Sequence, residues 1–447
     1  MNQLVRGLGP AAAASINITN MIGTGVFLKA RIMTCNVDTP WAVLGVWVAA
    51  GLLVLAGALT YAELMAMMPR AGGEYVILRE TYGKRVGFLY GWTYLASSRS
   101  ASLAAQAVSA GIFLNIVTGG LLEGKIVMVA VGMLAIMVAL NCLAVKTTGT
   151  IATALTTIKI VLVASIGVIA FLFAKGDWAN YALTNTDGAC AGVAESARGG
   201  LAGFGAAMLG ALWGFQGWAN FAPMAGEVKN PQRNIPIAFV GALALVGSLY
   251  LFANASYFYV LTPTEIANVS LSSSVATETL QRVFGAVAVS LMAAGMLVSS
   301  MGSLHAGIAA TMRVPYAMAS DGLYFRGLEK ISEKTKVPVR AAVFVGALAS
   351  ALALVGNYDR LTDYAIFLLW LFYGLTAASV IVLRRRMPDT PRPFRVPFYP
   401  VLPVVFLLVT ALILVNTLLT QPVQAGIGLG IMALGLPFYA WWTRPRA

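Results

Sequence analysis

The chain has 447 residues, of which 59% are hydrophobic and only 11% charged, with a mean hydropathy of +0.80. Soluble domains carry about 45–50% apolar and about 25% charged residues, so this composition excludes an ordinary cytosolic enzyme and a disordered scaffold. The net charge of +13 would suggest nucleic acid in a soluble protein, but here the basic residues sit in short loops between apolar runs and read as membrane topology.

A spanning helix needs about 20 apolar residues. Apolar stretches run near 8–30, 41–67, 86–115, 125–145, 150–174, 200–227, 236–260, 283–312, 339–356, 364–383, 400–419 and 423–442. They predict an all-α integral membrane protein with 12 transmembrane helices in one domain, 1–447. The short alternating segments of a β-barrel do not occur. The longest gap, Lys175 to Gly199, is too short for a soluble domain. The opening MNQLVRGLGP has no cleavage site of its own, and the first stretch reads as a retained helix.

Charge orients these spans. Of the 30 Lys and Arg residues, 21 fall on the side that holds both termini. Seven (Lys29, Arg31, Lys125, Lys175, Arg198, Arg282 and Arg360) fall on the other, and Arg99 and Lys159 lie within spans. The positive-inside rule then predicts a multi-pass plasma-membrane protein with both termini in the cytoplasm. Of the three cysteines, Cys35 and Cys190 share the external side, and whether they form a disulfide is open; their spacing offers no metal site.

Two spans carry glycines at mid-membrane, Gly23-Thr24-Gly25 in the first and Gly214-Phe215-Gln216-Gly217 in the sixth. Glycine weakens a helix, and lipid cannot satisfy freed backbone groups, so unwound backbone survives only against a cavity or ligand. Breaks at equivalent places five spans apart predict an inverted repeat with a binding site between its halves, helices 1–5 over 8–174 and helices 6–10 over 200–383, followed by helices 11–12 over 400–442. The alternative is close helix packing through small residues.

Few ionisable groups lie in the spans. Lys159 is 13 residues from Lys146 and 16 from Lys175, roughly 20–24 Å from either surface at the helical rise. It cannot easily reach water, so it needs a polar interior or must lose its proton. Its ammonium is expected to donate to carbonyls freed where span 1 unwinds, or else to carry a proton. Arg99 has no evident partner, and His305, the only histidine, reads as a packed, hydrogen-bonded residue rather than a ligand. Glu63 and Glu227 sit at span ends. No nucleophile set, phosphate loop or metal spacing appears, so no catalytic residue, metal or cofactor is expected. Trp213, directly before the second glycine cluster, is placed to close over a ligand.

Ile22-Gly23-Thr24-Gly25-Val26-Phe27 resembles the first span of the amino acid–polyamine–organocation transporters. Pro69-Arg70-Ala71-Gly72-Gly73-Glu74-Tyr75, with Tyr82-Gly83, is similar to their loop between spans 2 and 3. Gly217-Trp218 and the run Glu227 to Pro236 are similar to their span 6 and the loop after it. Asp321-Gly322 and Arg392-Pro393-Phe394-Arg395-Val396-Pro397 extend the match over essentially the whole chain. Within the family, Lys159 and the arginine-rich approach to span 11 resemble the L-type exchangers and their bacterial relatives.

The resemblance implies a LeuT-like 5+5 fold with discontinuous helices 1 and 6. It implies an α-amino acid held there, its carboxylate by the Thr24 hydroxyl and the Gly25 and Val26 amides, its ammonium by carbonyls of Met21, Trp213 and Gln216. Ile22, Gly23 and Gly214 complete this set, and Trp213 is the outer gate. Lys159, with Ser303 as partner, takes the place of a sodium ion in sodium-coupled relatives. The implied function is sodium-independent exchange of neutral L-amino acids by alternating access, with proton symport through Lys159 as the alternative. Span 6 has Gln216 and Ala219 where relatives that accept cationic substrates can carry an acid, so lysine or arginine is not expected as main substrate. Thr118–Gly124 lacks the cysteine that links eukaryotic light chains to a heavy chain, so no such partner is expected. Membrane lipid is the only other implied partner, and nucleic acid is not.

Overall fold

A computed structural model describes residues 4–270, 273–355 and 358–443, with the side chains of 358–366 left aside. Arg360, Arg444 and Arg446 of the charge count lie outside the described side chains. The described chain is helical throughout, with one isolated two-residue bridge between Leu8 and Val228.

The first apolar run is two helices, α1 (Pro10–Met21) and α2 (Gly25–Val37), bent by 45° across Ile22–Thr24. The span reaches seven residues beyond the expected end at 30. Arg31, Thr34 and Asn36 are polar but buried, since they bond inward rather than to water, and the helix stops only where Asp38 turns left-handed (φ 61). Arg31, counted as a loop charge from the sequence, lies inside α2 and donates to the Ala191 carbonyl at 2.9 Å.

Helix α3 (Pro40–Met67) opens with Thr39 accepting from the Ala42 amide and proline at its first position, where no amide is needed. Short α4 (Glu74–Tyr82) follows Gly72 and Gly73, both at positive φ. Helix α5 (Lys84–Val117) contains a π-helical turn at Tyr94–Ser98, directly before Arg99. Helices α6 (Ile126–Asn141) and α7 (Val145–Phe173) complete the first half.

The loop 174–199 winds through two short 3₁₀ turns, and Cys190 in it is disulfide-bonded to Cys35 of α2. The sixth apolar run, expected over 200–227, is helical only as α8 (Gly200–Gly214). Tight turns follow and then a 3₁₀ segment, Ala222–Glu227, because Gly217 adopts φ 107 and Pro223 offers no amide. Helix α9 (Pro231–Val260) leads through α10 (Pro263–Ala267) and α11 (Val275–Phe284) to α12 (Val287–Ser320). Arg313, counted from the sequence as a loop charge, lies within α12 and is fully buried against Glu227, which is why the helix runs eight residues past the expected 312. Helices α13 (Val339–Val355), α14 (Tyr358–Arg386), α15 (Val401–Thr420) and α16 (Pro422–Trp442) end the chain.

Among the described residues, eight helices are long and apolar enough to cross a membrane, nine if the bent α1–α2 pair is one span, and α6, α8 and α13 are shorter apolar helices. Helix α12 packs along α5, and α9 along α3, α1 and α7. These long helices form a frame around the two broken ones, α1–α2 and α8.

Candidate functional site

The two helix breaks meet. A Cβ on Gly25 would lie 2.7 Å from the Gly214 Cα, and one on Gly217 would lie 2.3 Å from the Asn20 carbonyl oxygen. No side chain fits either place, so these glycines permit backbone to touch backbone. Gly217 is also at positive φ, a conformation that other residues adopt only under strain.

The Tyr250 hydroxyl of α9 lies 2.8 Å from the Met21 carbonyl and 2.9 Å from that of Gly214, bridging the two breaks. One O–H supplies a single proton, so these two carbonyls retain acceptor capacity. Among the described residues, the amides of Gly23, Thr24, Gly25 and Val26 donate to no protein acceptor. They sit at the start of α2, where the helix dipole adds positive potential, an arrangement that suits a carboxylate.

Lys159 of α7 stands behind the first break, fully buried. Its ammonium donates to the Thr19 carbonyl at 2.7 Å, the Ile22 carbonyl at 2.9 Å and Ser303 Oγ of α12 at 2.6 Å. All three donors of a lysine are thereby used. Ser303 in turn donates to the Thr19 carbonyl, and Ser299 to that of Ile22. A Cβ on Gly302 would stand 2.9 Å from Lys159 Cε, so that glycine makes room for the stem.

A cavity of about 860 Å³ covers both breaks, within the usual range for small-molecule sites. Met21, Gly23, Thr24, Gly25, Trp213, Gly214, Gln216 and Ser303 line it. Ile22 and Val26 are buried and present no side chain to it. Its lining runs from the breaks toward the end of the bundle where α2 finishes and α8 begins, through Lys29, Gln106 and Leu209, and includes Gln421. Trp213 stands on this stretch, 36% exposed, with the Lys29 ammonium 5.4 Å from its ring centroid.

Arg99 also borders the cavity, donating to Asn20 Oδ1 at 2.8 Å and Thr311 Oγ1 at 3.2 Å. His305 lies elsewhere, buried between Asn141 of α6 (3.0 Å) and the Thr148 carbonyl of α7 (3.3 Å). Thr19, Asn20, Lys29, Tyr250, Ser299 and Gly302 escaped the sequence reading. Thr19, Tyr250, Ser299 and Gly302 gain their partners only where α7, α9 and α12 cross behind the breaks, Asn20 meets Arg99 of α5, and Lys29 was read only as a loop charge.

The opposite end is shut. Glu227 and Arg313, both without exposure, pair at 2.6 and 2.8 Å. Arg384 grips Glu63 at 2.6 and 2.9 Å, and the Val396 amide donates to the same carboxylate. Tyr75 and Arg79 both bond Asp321, and the segment before α1 is paired to the loop after α8, the Leu8 amide to the Glu227 carbonyl and the Lys229 amide to that of Leu8.

The described family "amino acid permease" matches residues 8–438. The serine/threonine exchanger SteT of Bacillus subtilis is 30% identical over 451 residues, covering all of this chain and 99% of that protein. The human b(0,+)-type amino acid transporter 1 is 29% identical, covering 94% of this chain and 84% of its own. The human large neutral amino acids transporter small subunit 2 is 28% identical, covering 99% and 82%. The chain belongs to the amino acid permease family of membrane transporters, and it is similar to the L-type members.

Proposed function

We propose that the chain is a secondary transporter that exchanges neutral L-amino acids by alternating access, without sodium. The observation that carries this reading is the ammonium of Lys159, fixed between the carbonyls at the first break and Ser303 of α12. A permanent side-chain cation there does the work of a bound ion, leaving no vacancy for a diffusible one.

The substrate's carboxylate lies at the Gly23–Val26 amides beside the Thr24 hydroxyl, and its ammonium takes acceptor capacity from Met21, Gly214 and Gln216 at the two breaks. The Trp213 carbonyl accepts from the Gln216 amide at 3.0 Å and, like those of Met21 and Gly214, keeps a second lone pair for the substrate ammonium. Trp213 closes over the bound amino acid. Taking the bent pair as one span and the three shorter apolar helices as spans gives twelve, arranged as repeats over 8–174 and 200–383 with 400–442 added, in the LeuT-like order. The charge bias supports both termini and the shut end in the cytoplasm and the cavity mouth outside; the membrane is a bacterial inner membrane, and the chain works without a disulfide-linked heavy chain.

The test is uptake of labelled serine, alanine and leucine into proteoliposomes without sodium or a pH gradient, empty against preloaded with unlabelled substrate. Strong stimulation by preloading is expected. Equal uptake in both removes exchange, and uptake that appears only with an inward proton gradient replaces it with symport.

A further inference from the structure

Among the described residues, the cavity is lined by two cations, Lys29 and Arg99, and by no aspartate or glutamate. Arg99 has fixed partners in Asn20 and Thr311. Lys29 has no hydrogen-bond acceptor and no ion-pair partner among the described residues; its ammonium rests only against the face of Trp213. It stands four residues past Gly25 on α2, hence on the same face and about 6 Å further out. The amides at Gly23–Val26 and the start of α2 already suffice for one carboxylate. The charge of Lys29 is therefore surplus to a neutral amino acid, and it lies over the place where such a substrate would be held.

We infer that Lys29 is a specificity-determining residue that admits amino acids with a side-chain carboxylate, aspartate or glutamate, alongside neutral ones. This rests on the proposed amino acid site. A half-enclosed cavity weakens screening, so an unpaired ammonium attracts a second carboxylate strongly and repels a cationic side chain. Its long stem lets the ammonium leave the Trp213 ring and follow the side-chain carboxylate, while the α-carboxylate stays on the backbone amides. The same exchange of partners frees the Trp213 ring to fold over an acidic substrate.

The experiment uses purified full-length chain in proteoliposomes preloaded with unlabelled serine, reading uptake of labelled serine, leucine and glutamate in wild type, Lys29→Met and Lys29→Arg. Wild type should exchange glutamate as well as the neutral amino acids. Lys29→Met should lower the glutamate-to-serine uptake ratio by roughly tenfold or more, about one decade of affinity for a lost charge pair, and Lys29→Arg should retain the ratio. Serine uptake by the same preparation reports that the variant is folded. Wild-type exchange of serine with no exchange of glutamate overturns the inference and leaves the amino acid site standing. A loss in Lys29→Met that is equal for serine, leucine and glutamate also overturns it, making Lys29 a general carboxylate attractor. Absence of any exchange in wild type removes the underlying reading itself.

Discussion

The two ends of the helix bundle are built on opposite principles. At the shut end, charges are neutralised in contact: Glu227 with Arg313, Glu63 with Arg384 and Asp321 with Arg79. At the open end, Lys29 has no acidic partner among the described residues, and the polar groups of the breaks face a cavity. Closure is thus written in ion pairs that desolvation makes costly to lose singly, and openness in backbone groups left without protein partners. The comparison teaches that the shut end stores its specificity in side chains, whereas the open end stores it in glycines and free amides.

The largest expected break in this contrast is Glu227→Ala. It strands the fully buried Arg313, and removing one partner of a buried pair costs about 3–5 kcal/mol. Thermal unfolding in detergent should show a large drop in Tm, and the double variant Glu227→Met with Arg313→Met should regain much of it. A single variant as stable as wild type would show that the pair does not hold the shut end. Next comes Lys159→Ala, which leaves the Thr19 and Ile22 carbonyls without their ammonium. Losing hydrogen bonds from a charged group costs about 1.5–3 kcal/mol, and exchange should be abolished. Exchange that persists removes Lys159 from the mechanism.

Gly25→Ala tests the open end. Its Cβ would press on the Gly214 backbone, an overpacking worth about 1–3 kcal/mol, and substrate KM should rise more than Tm falls. Tyr250→Phe removes the hydroxyl shared by Met21 and Gly214. It should cost about 1 kcal/mol, read as a several-fold change in KM. The smallest effect lies in the loop beyond α9. Burial opposes the Glu265 carboxylate, but the Thr262 amide and hydroxyl and Arg282 outweigh it and hold its pKa below the usual range. A depressed carboxylate contributes stability above that range and loses it as pH falls through the folded pKa. For so exposed a pair the effect is slight, so the Tm of Arg282→Ala should lie slightly below wild type above about pH 5 and converge on it as acid protonates Glu265.

The sequence exposes the membrane class, the position of the first break and the isolation of Lys159, because apolar length and missing charge are local properties. The end of α2 at Val37 was hidden, since Arg31, Thr34 and Asn36 look like loop residues until their buried partners are seen. The break after Gly214 was marked by its glycine cluster, but the course beyond it was hidden, as apolar residues continue to Ala225 through turns that no periodicity marks. Arg313 read as a loop charge and Glu227 as a span-end one because the partner that compensates each lies 86 positions away. Tyr250 and Gly302 matter only through helices that cross them, so no pattern along the chain could single them out.

The Cys35–Cys190 disulfide has a mechanical meaning. It fastens the loop before α8 to the far end of α2, and the Gly199 amide bonded to the Asn36 carbonyl and the Asn36 side chain bonded to Ala197 add two more ties within a few residues. The tips of the two broken helices are therefore harnessed to one yoke. Whatever swings α2 carries the start of α8 along with it, so the two half-helices make one lever arm rather than two.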